Sequence, residues 1–148
     1  MNLVLVDQVK NTNSAMEKFD NISVAVGIIT RNNGDFLVTQ RQSHQHLAGY
    51  WEFPGGKVEK EETVLQALQR ELQEELDIVV KEATPFMVVN HTYCDKAVSL
   101  HVWWIDSFLQ EPVAKEQQPL RWVSLKDLEC LPLPAANIAI LKKIQAIT

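Results

Sequence analysis

Three glutamates in one helical stretch, Glu71, Glu74 and Glu75, have the types and spacing to do chemistry. Successive helical residues advance by about 100°, so with Glu71 at zero Glu75 falls at about 40° and Glu74 at about −60°, a single turn-sized patch. Leu65, Leu68, Leu72 and Leu76 fall between about 60° and 140° on the same wheel, an apolar stripe that sets core beside the carboxylate edge. Carboxylates this close repel and raise one another's pKa unless a cation offsets them. An all-oxygen donor set favours a hard ion, Mg²⁺ or Mn²⁺, held by a few carboxylates, waters and substrate phosphates. The same acids also admit a plainer reading as the solvated face of a surface helix, with Arg70 and Glu74 an ordinary i,i+4 pair. Against it stands the segment just upstream. Pro54, Gly55 and Gly56 deny it regular helix, require a loop, and let backbone approach phosphate or metal closely, while Glu59, Glu61 and Glu62 crowd further acids into the same place.

The formal charge of the 148-residue chain is −5, and residues 52–77 account for all of it, with eight acids against three bases. No global basic surface is left to hold duplex nucleic acid, so any phosphate partner must be met locally. With 46% hydrophobic and 22% charged residues and only five glycines, the chain should fold, and its length suits one core. Cys94 and Cys130 form no CxxC pair, which fits reduced thiols in a cytoplasmic protein. No apolar run has membrane-spanning length, and the opening MNLVLVDQVKN lacks signal-peptide character. The histidines His44, His46, His91 and His101 show no metal-ligand spacing.

The elements that must position the acids follow from pattern. Residues 1–21 read as an N-terminal extension or leading strand, and residues 22–148 as one domain. ISVAVGIITRNNGDFLVTQR reads as two antiparallel strands around Asn-Asn-Gly-Asp, a hairpin signature. A loop through the glycines leads to a helix over residues 63–76. FMVVNHTY and VSLHVWWIDSFL read as strands around a turn at Asp95 and Lys96, then come a polar loop, a short strand LRWVSL, and a closing helix entered through LPLPAAN. This order suits an α+β layered fold with helices on sheet faces.

Gly56, five residues, Glu62, seven residues and then Arg70-Glu71-Leu72-Gln73-Glu74-Glu75 resembles the Nudix box of the Nudix hydrolases, G-x5-E-x7-R-E-U-x-E-E-x-G-U with U a bulky aliphatic. One position departs: Asp77 stands where the final glycine belongs, and Asp tolerates left-handed backbone well enough to end the helix. The resemblance implies a Nudix-type α/β/α sandwich, a mixed sheet between helices, with Mg²⁺ (or Mn²⁺) as cofactor. By it Glu71, Glu74 and Glu75 are metal ligands, joined by the Gly55 carbonyl and by Glu62 in a structural or metal-water contact, and Arg70 orients a catalytic carboxylate. Glu116, in KEQQPLRW, is similar to the loop glutamate that such enzymes bring to the metal centre, where it would act as general base; by itself it reads equally as a solvated loop acid.

VAVGIITRNNGDFLVTQR, LAGYWEFPGGKVE and LPLPAANIAILKKI extend the resemblance over about residues 22–147, toward MutT-like 8-oxo-dGTP diphosphatases. These act on a small nucleoside triphosphate by water attack and release pyrophosphate. Asn137 would hydrogen-bond the purine edge, although a cap on the last helix is its other reading. Backbone in the Glu52-Phe53 segment would read the N7 proton of the oxidised base. Arg41 would reach phosphate or the base pocket, and Lys57 would shield phosphate; a surface arginine and a solvent-facing lysine are the plainer readings. Other Nudix substrates (pyrimidine triphosphates, ADP-ribose, dinucleoside polyphosphates) and a non-catalytic nucleotide-binding module are the competing functions. No membrane and no obligate protein partner is expected.

Overall fold

A computed structural model describes residues 20–93 and 95–148. Its strands are β1 (Asp20–Ile28), β2 (Phe36–Gln40), β3 (Trp51–Glu52), β4 (Gly55–Lys57), β5 (Val79–Tyr93), β6 (Lys96–Leu109) and β7 (Leu120–Val123). Its helices are α1 (Val64–Leu76), α2 (Leu125–Leu128) and α3 (Ala135–Ile147). The extension expected over residues 1–21 lies outside the described residues except for Asp20 and Asn21, which open β1; Cys94 lies outside them too.

The strands form two sheets, a mixed one in the order β4-β1-β6-β5 and an antiparallel one in the order β3-β2-β7. β1 runs parallel to β6 over nine residue pairs, and β5 and β6 form a long antiparallel ribbon broken by bulges around Lys81 and Phe86. The expected α+β sandwich is present. The hairpin expected between β1 and β2 is present only at its tip. Gly34, at φ 88°, makes the turn, and the bonds from the Arg31 N–H to the Asp35 carbonyl and from the Leu37 N–H to the Ile29 carbonyl, with the bridge of Thr30 to Phe36, join the two arms before they part into different sheets. Both edges of β1 are already occupied, by β6 and β4, so β2 takes β3 and β7 instead.

Period-2 alternation divides the core. From β1 and the residue after it, Ala25 and Ile29 face α1 with Ala67, Leu68, Leu72 and Leu76, whereas Val26 and Ile28 face α3 with Ile140, Leu141 and Ile144. α1 starts at a capping box: Thr63 Oγ1 accepts from the Gln66 N–H while the Gln66 side chain accepts from the Thr63 N–H. It ends at Asp77 in left-handed geometry (φ 59°, ψ 31°), with the Asp77 N–H donating to the Gln73 carbonyl, so helix termination survives without glycine. α2 follows the Ser124 cap, whose Oγ accepts from the Asp127 N–H; a one-turn helix of this kind leaves no periodicity for sequence to show.

The glycine segment is less of a loop than expected. β3 pairs antiparallel with β2, and β4 with β1, so the chain crosses from one sheet to the other between Glu52 and Gly55. Gly55 and Gly56 do not take positive φ; they are needed for close approach. A Cβ on Gly55 would collide with the Ala25 carbonyl across the ladder, and one on Gly56 with the Glu71 carboxylate. The first obstacle is backbone and the second the end of a flexible side chain. Gly55→Ala is therefore expected to cost about 2–4 kcal/mol in urea unfolding and Gly56→Ala less than about 1 kcal/mol. Equal midpoints for the two variants would contradict this placement.

Candidate functional site

Arg70 organises the junction between β4 and α1. Its Nε and Nη2 donate to the two oxygens of Glu62 at 2.7 and 3.0 Å, a fork-to-fork pair. Nη2 also donates to the Lys57 carbonyl (3.0 Å), and Nη1 to Glu74 (3.1 Å) and Glu71 (3.3 Å). One guanidinium thus ties the end of β4 and the following turn to the last two turns of α1. The bond from Arg70 and the Glu59 N–H hold the Glu62 carboxyl down at about 2, so it stays charged through neutral pH. Both Glu62 oxygens are engaged by Arg70, which makes Glu62 a brace for this corner, and Glu74, half exposed, leans on the same arginine.

Glu75 is in a different situation. Its Oε1 is buried with no hydrogen-bond partner. Burial, then the charges of Glu71, Glu116, Glu52 and Glu74, push its pKa up to about 9. Burial also raises Glu71, with Arg70 opposing, and Glu74 and Glu116 adding repulsion. Four acids from three separate segments therefore face Glu75: two from α1, Glu52 from β3 and Glu116 from the loop before β7. The loop is fastened to the open end of the helix, where the Lys115 N–H donates to the Glu75 carbonyl and the Val113 N–H to the Leu76 carbonyl, both at 3.0 Å.

A cavity of about 360 Å³ opens beside Glu75, lined also by Thr39, Gln42, His44, Glu52, Glu116 and Gln118. Glu52 belongs to it by alternation. Its neighbours Trp51 and Phe53 pack toward α3, so the Glu52 side chain points to the α1 side, where it accepts from Arg41 Nη1 at 2.8 Å and is raised by burial. Sequence placed Glu52 with base recognition; the structure puts its carboxylate among the acids. Arg41 also donates through Nε to the His46 carbonyl, so its fork is held by the loop and by Glu52. Asn137 does not cap α3, whose N-cap is Pro134 without a side-chain bond. Its buried Oδ1 accepts from the Phe53 N–H at 3.0 Å, on the opposite side of the strand from Glu52. Lys57 is exposed at the end of β4, with its carbonyl on Arg70. Gln42 and Gln118 carry no signal in sequence; only folding shows that they reach the Glu116 loop.

The donor set fits a hard divalent cation. An unpartnered buried carboxylate oxygen surrounded by carboxylates lacks a positive charge, and every candidate donor is oxygen. Among the described residues, as placed, no three of His, Cys, Asp or Glu form a closed metal shell, which accords with an ion that keeps waters and meets phosphate. Glu71, Glu75 and Glu116, with Glu74 and the Gly55 carbonyl nearby in the chain, are the residues that could hold it.

A β4–α1 corner of this construction defines a class. The chain matches the NUDIX domain over residues 25–143 and belongs to the Nudix family. It is 37% identical over 124 residues to the 8-oxo-dGTP diphosphatase of Escherichia coli K12, covering 84% of this chain and 96% of that protein. It is also 36% identical over 126 residues to the CTP pyrophosphohydrolase of the same organism, covering 85% and 93%. Among solved structures it is similar to a MutT from a study of the Aliivibrio salmonicida and Vibrio cholerae proteins (TM-score 0.76, 33% identity, 87% of this chain and 100% of that one). The E. coli ORF135 protein gives a TM-score of 0.78 at 35% identity, over 88% and 93%. No helix among the described residues is long and apolar enough to cross a membrane.

The raised Glu75 carboxyl has a measurable consequence. Its folded pKa of about 9 exceeds its ordinary value of 4.5, so the folded state keeps a proton that the unfolded chain releases. Its contribution to stability is full below about pH 4.5 and declines as pH rises toward about 9. In chelator-treated protein, Glu75→Gln should raise the melting temperature by a few degrees at pH 8 and by much less at pH 5. A variant less stable than wild type at pH 8 would contradict the assignment.

Proposed function

We propose that this chain is a Mg²⁺-dependent nucleoside triphosphate pyrophosphohydrolase, with Mn²⁺ as an alternative ion and 8-oxo-dGTP as substrate, yielding 8-oxo-dGMP and pyrophosphate. The observation that carries this reading is the buried, unpartnered Oε1 of Glu75, whose carboxyl faces four other acids beside an open cavity. A binding module has no need of that arrangement, which is costly without a cation. When bound, a divalent cation offsets the polyphosphate charge, polarises the phosphorus and lowers the pKa of a water.

The chain's own groups supply the rest. Glu71, Glu74, Glu75 and the Gly55 carbonyl would hold the ion, and Arg70 keeps the helix and the glycine segment in register. Glu116 is the general base. It takes a proton from the attacking water as the new phosphorus–oxygen bond forms and the bridging bond to the leaving phosphate breaks. No covalent intermediate is involved. Arg41, released from one of its present partners, and Lys57 meet phosphate.

Asn137 offers its amide donor to the purine edge, because Oδ1 is engaged by the Phe53 N–H. The Phe53 carbonyl is the acceptor for the N7 proton that distinguishes the oxidised base, and normal guanine, which has no such proton, would face it with an acceptor. The 37% identity to an 8-oxo-dGTP diphosphatase supports this choice. The 36% identity to a CTP pyrophosphohydrolase favours a second reading, a pyrimidine triphosphate in the same site.

Pyrophosphate release from 8-oxo-dGTP, dGTP, CTP, dCTP and ADP-ribose, with and without Mg²⁺, separates these readings. The proposal expects Mg²⁺-dependent turnover, with kcat/KM for 8-oxo-dGTP at least about tenfold above dGTP and CTP, and a further loss of about 10- to 100-fold for 8-oxo-dGTP in Asn137→Ala. A preference for CTP, undiminished by Asn137→Ala, would establish the second reading.

A further inference from the structure

We propose that Gln118 is a positioning residue, one buried carboxamide that joins the last turn of α1 to the loop peptide of Glu116 and so fixes where the Glu116 carboxylate stands relative to Glu75. The proposal rests on the reading of Glu116 as general base. Gln118 is 6% exposed, one of few buried polar side chains among the described residues. Both ends of its amide are used: Nε2 donates to the Glu75 carbonyl at 3.1 Å, and Oε1 accepts from the Glu116 N–H at 3.0 Å.

The other fastenings do different work. Val113 and Lys115 bring the loop to the helix through their own N–H groups, and the Gln117 N–H closes a turn around Lys115 and Glu116 by donating to the Ala114 carbonyl at 3.1 Å, but none of these bonds engages the Glu116 N–H. Gln42, from the far side of the cavity, donates through Nε2 to the Glu116 carbonyl at 3.0 Å. Between Gln118 and Gln42 the N–H and the C=O flanking the Glu116 Cα are both held by side-chain amides, which sets the direction of its Cα–Cβ bond. The Glu116 side chain itself is exposed and makes no hydrogen bond or ion pair with the described residues, so its aim comes from its backbone. The task needs a donor and an acceptor on one planar group; Glu lacks the donor and Met lacks both.

A displacement of about 1 Å in a reacting group costs up to about 100-fold in rate. Gln118→Met, of similar volume, is therefore expected to lower kcat by about 10- to 100-fold with KM changed by less than about twofold. In a Glu116→Gln background the same substitution should cost less than about twofold more, because the group it positions is already disabled. Amide hydrogen exchange supplies a reading that needs no activity: in the wild-type protein the Glu116 N–H should be as protected as that of Lys115, and in Gln118→Met its protection should fall while that of Lys115 persists.

Losses that multiply in the double variant would show a merely structural role and overturn the proposal. So would an unprotected Glu116 amide in the wild type, which settles the matter even where Gln118→Met does not fold. Impaired Glu116→Gln with unimpaired Gln118→Met would defeat the positioning role alone; wild-type turnover in Glu116→Gln would defeat the general-base reading and the positioning role with it.

Discussion

One arginine serves more carboxylates than it can neutralise. Arg70 faces Glu62, Glu71 and Glu74, with Glu59 at 3.9 Å, and its charge goes chiefly to the bidentate pair with Glu62. That pair locks β4 to α1 and thereby sets the glycine backbone against the helix face. The remaining negative charge collects around Glu75, where Arg41 is paired only with Glu52 and Glu75 Oε1 is buried without a partner. The protein solves the mechanical problem of the corner with Arg70 and leaves the electrostatic one open. An unfinished charge balance in a rigid frame is what a cation-dependent site requires, since the frame is already paid for when the ion and the polyphosphate arrive.

Much of this corner was legible before folding. The spacing of Leu68, Leu72 and Leu76 placed α1, Thr63 marked its start, and helical geometry alone put Glu71 and Glu75 on one edge. Asp77 was read as able to end the helix, and it does so in left-handed geometry. What pattern could not show was non-local. The Asn-Asn-Gly-Asp turn is real, but whether its arms pair depends on competitors for β1, namely β4 and β6, which lie far along the chain. Gly55 and Gly56 were expected to let backbone approach phosphate or metal, and the close approaches that require them are to Ala25 and Glu71, contacts that exist only once the sheet has formed. Glu52 was read with Phe53 for its backbone; that its side chain joins the acids follows only once the strand is placed, because adjacent residues in a strand point to opposite faces. Gln118 left no mark at all, because a buried polar side chain is recognisable only by its partners.

The two sides of the β3 crossing divide the labour. On the α1 side stand Glu52, Arg41 and the acids; on the α3 side Asn137 holds the Phe53 N–H within the core that α3 shares with β2 and β6. Under the proposed function, residues that differ by one in sequence would serve the phosphate end and the base end of one substrate, with the Pro54–Gly55 step linking them.

The central claim is that the acid cluster around Glu75 is a site for a divalent cation that displaces a proton. Isothermal titration of chelator-treated protein with Mg²⁺ at pH 7.5, in two buffers of unlike ionisation enthalpy, measures it directly. With the Glu75 carboxyl at about 9, binding should release close to one proton, so the apparent enthalpy should shift with buffer, and the shift should vanish in Glu75→Gln. Saturable Mg²⁺ binding with no buffer dependence, or no binding at millimolar Mg²⁺, would contradict the account.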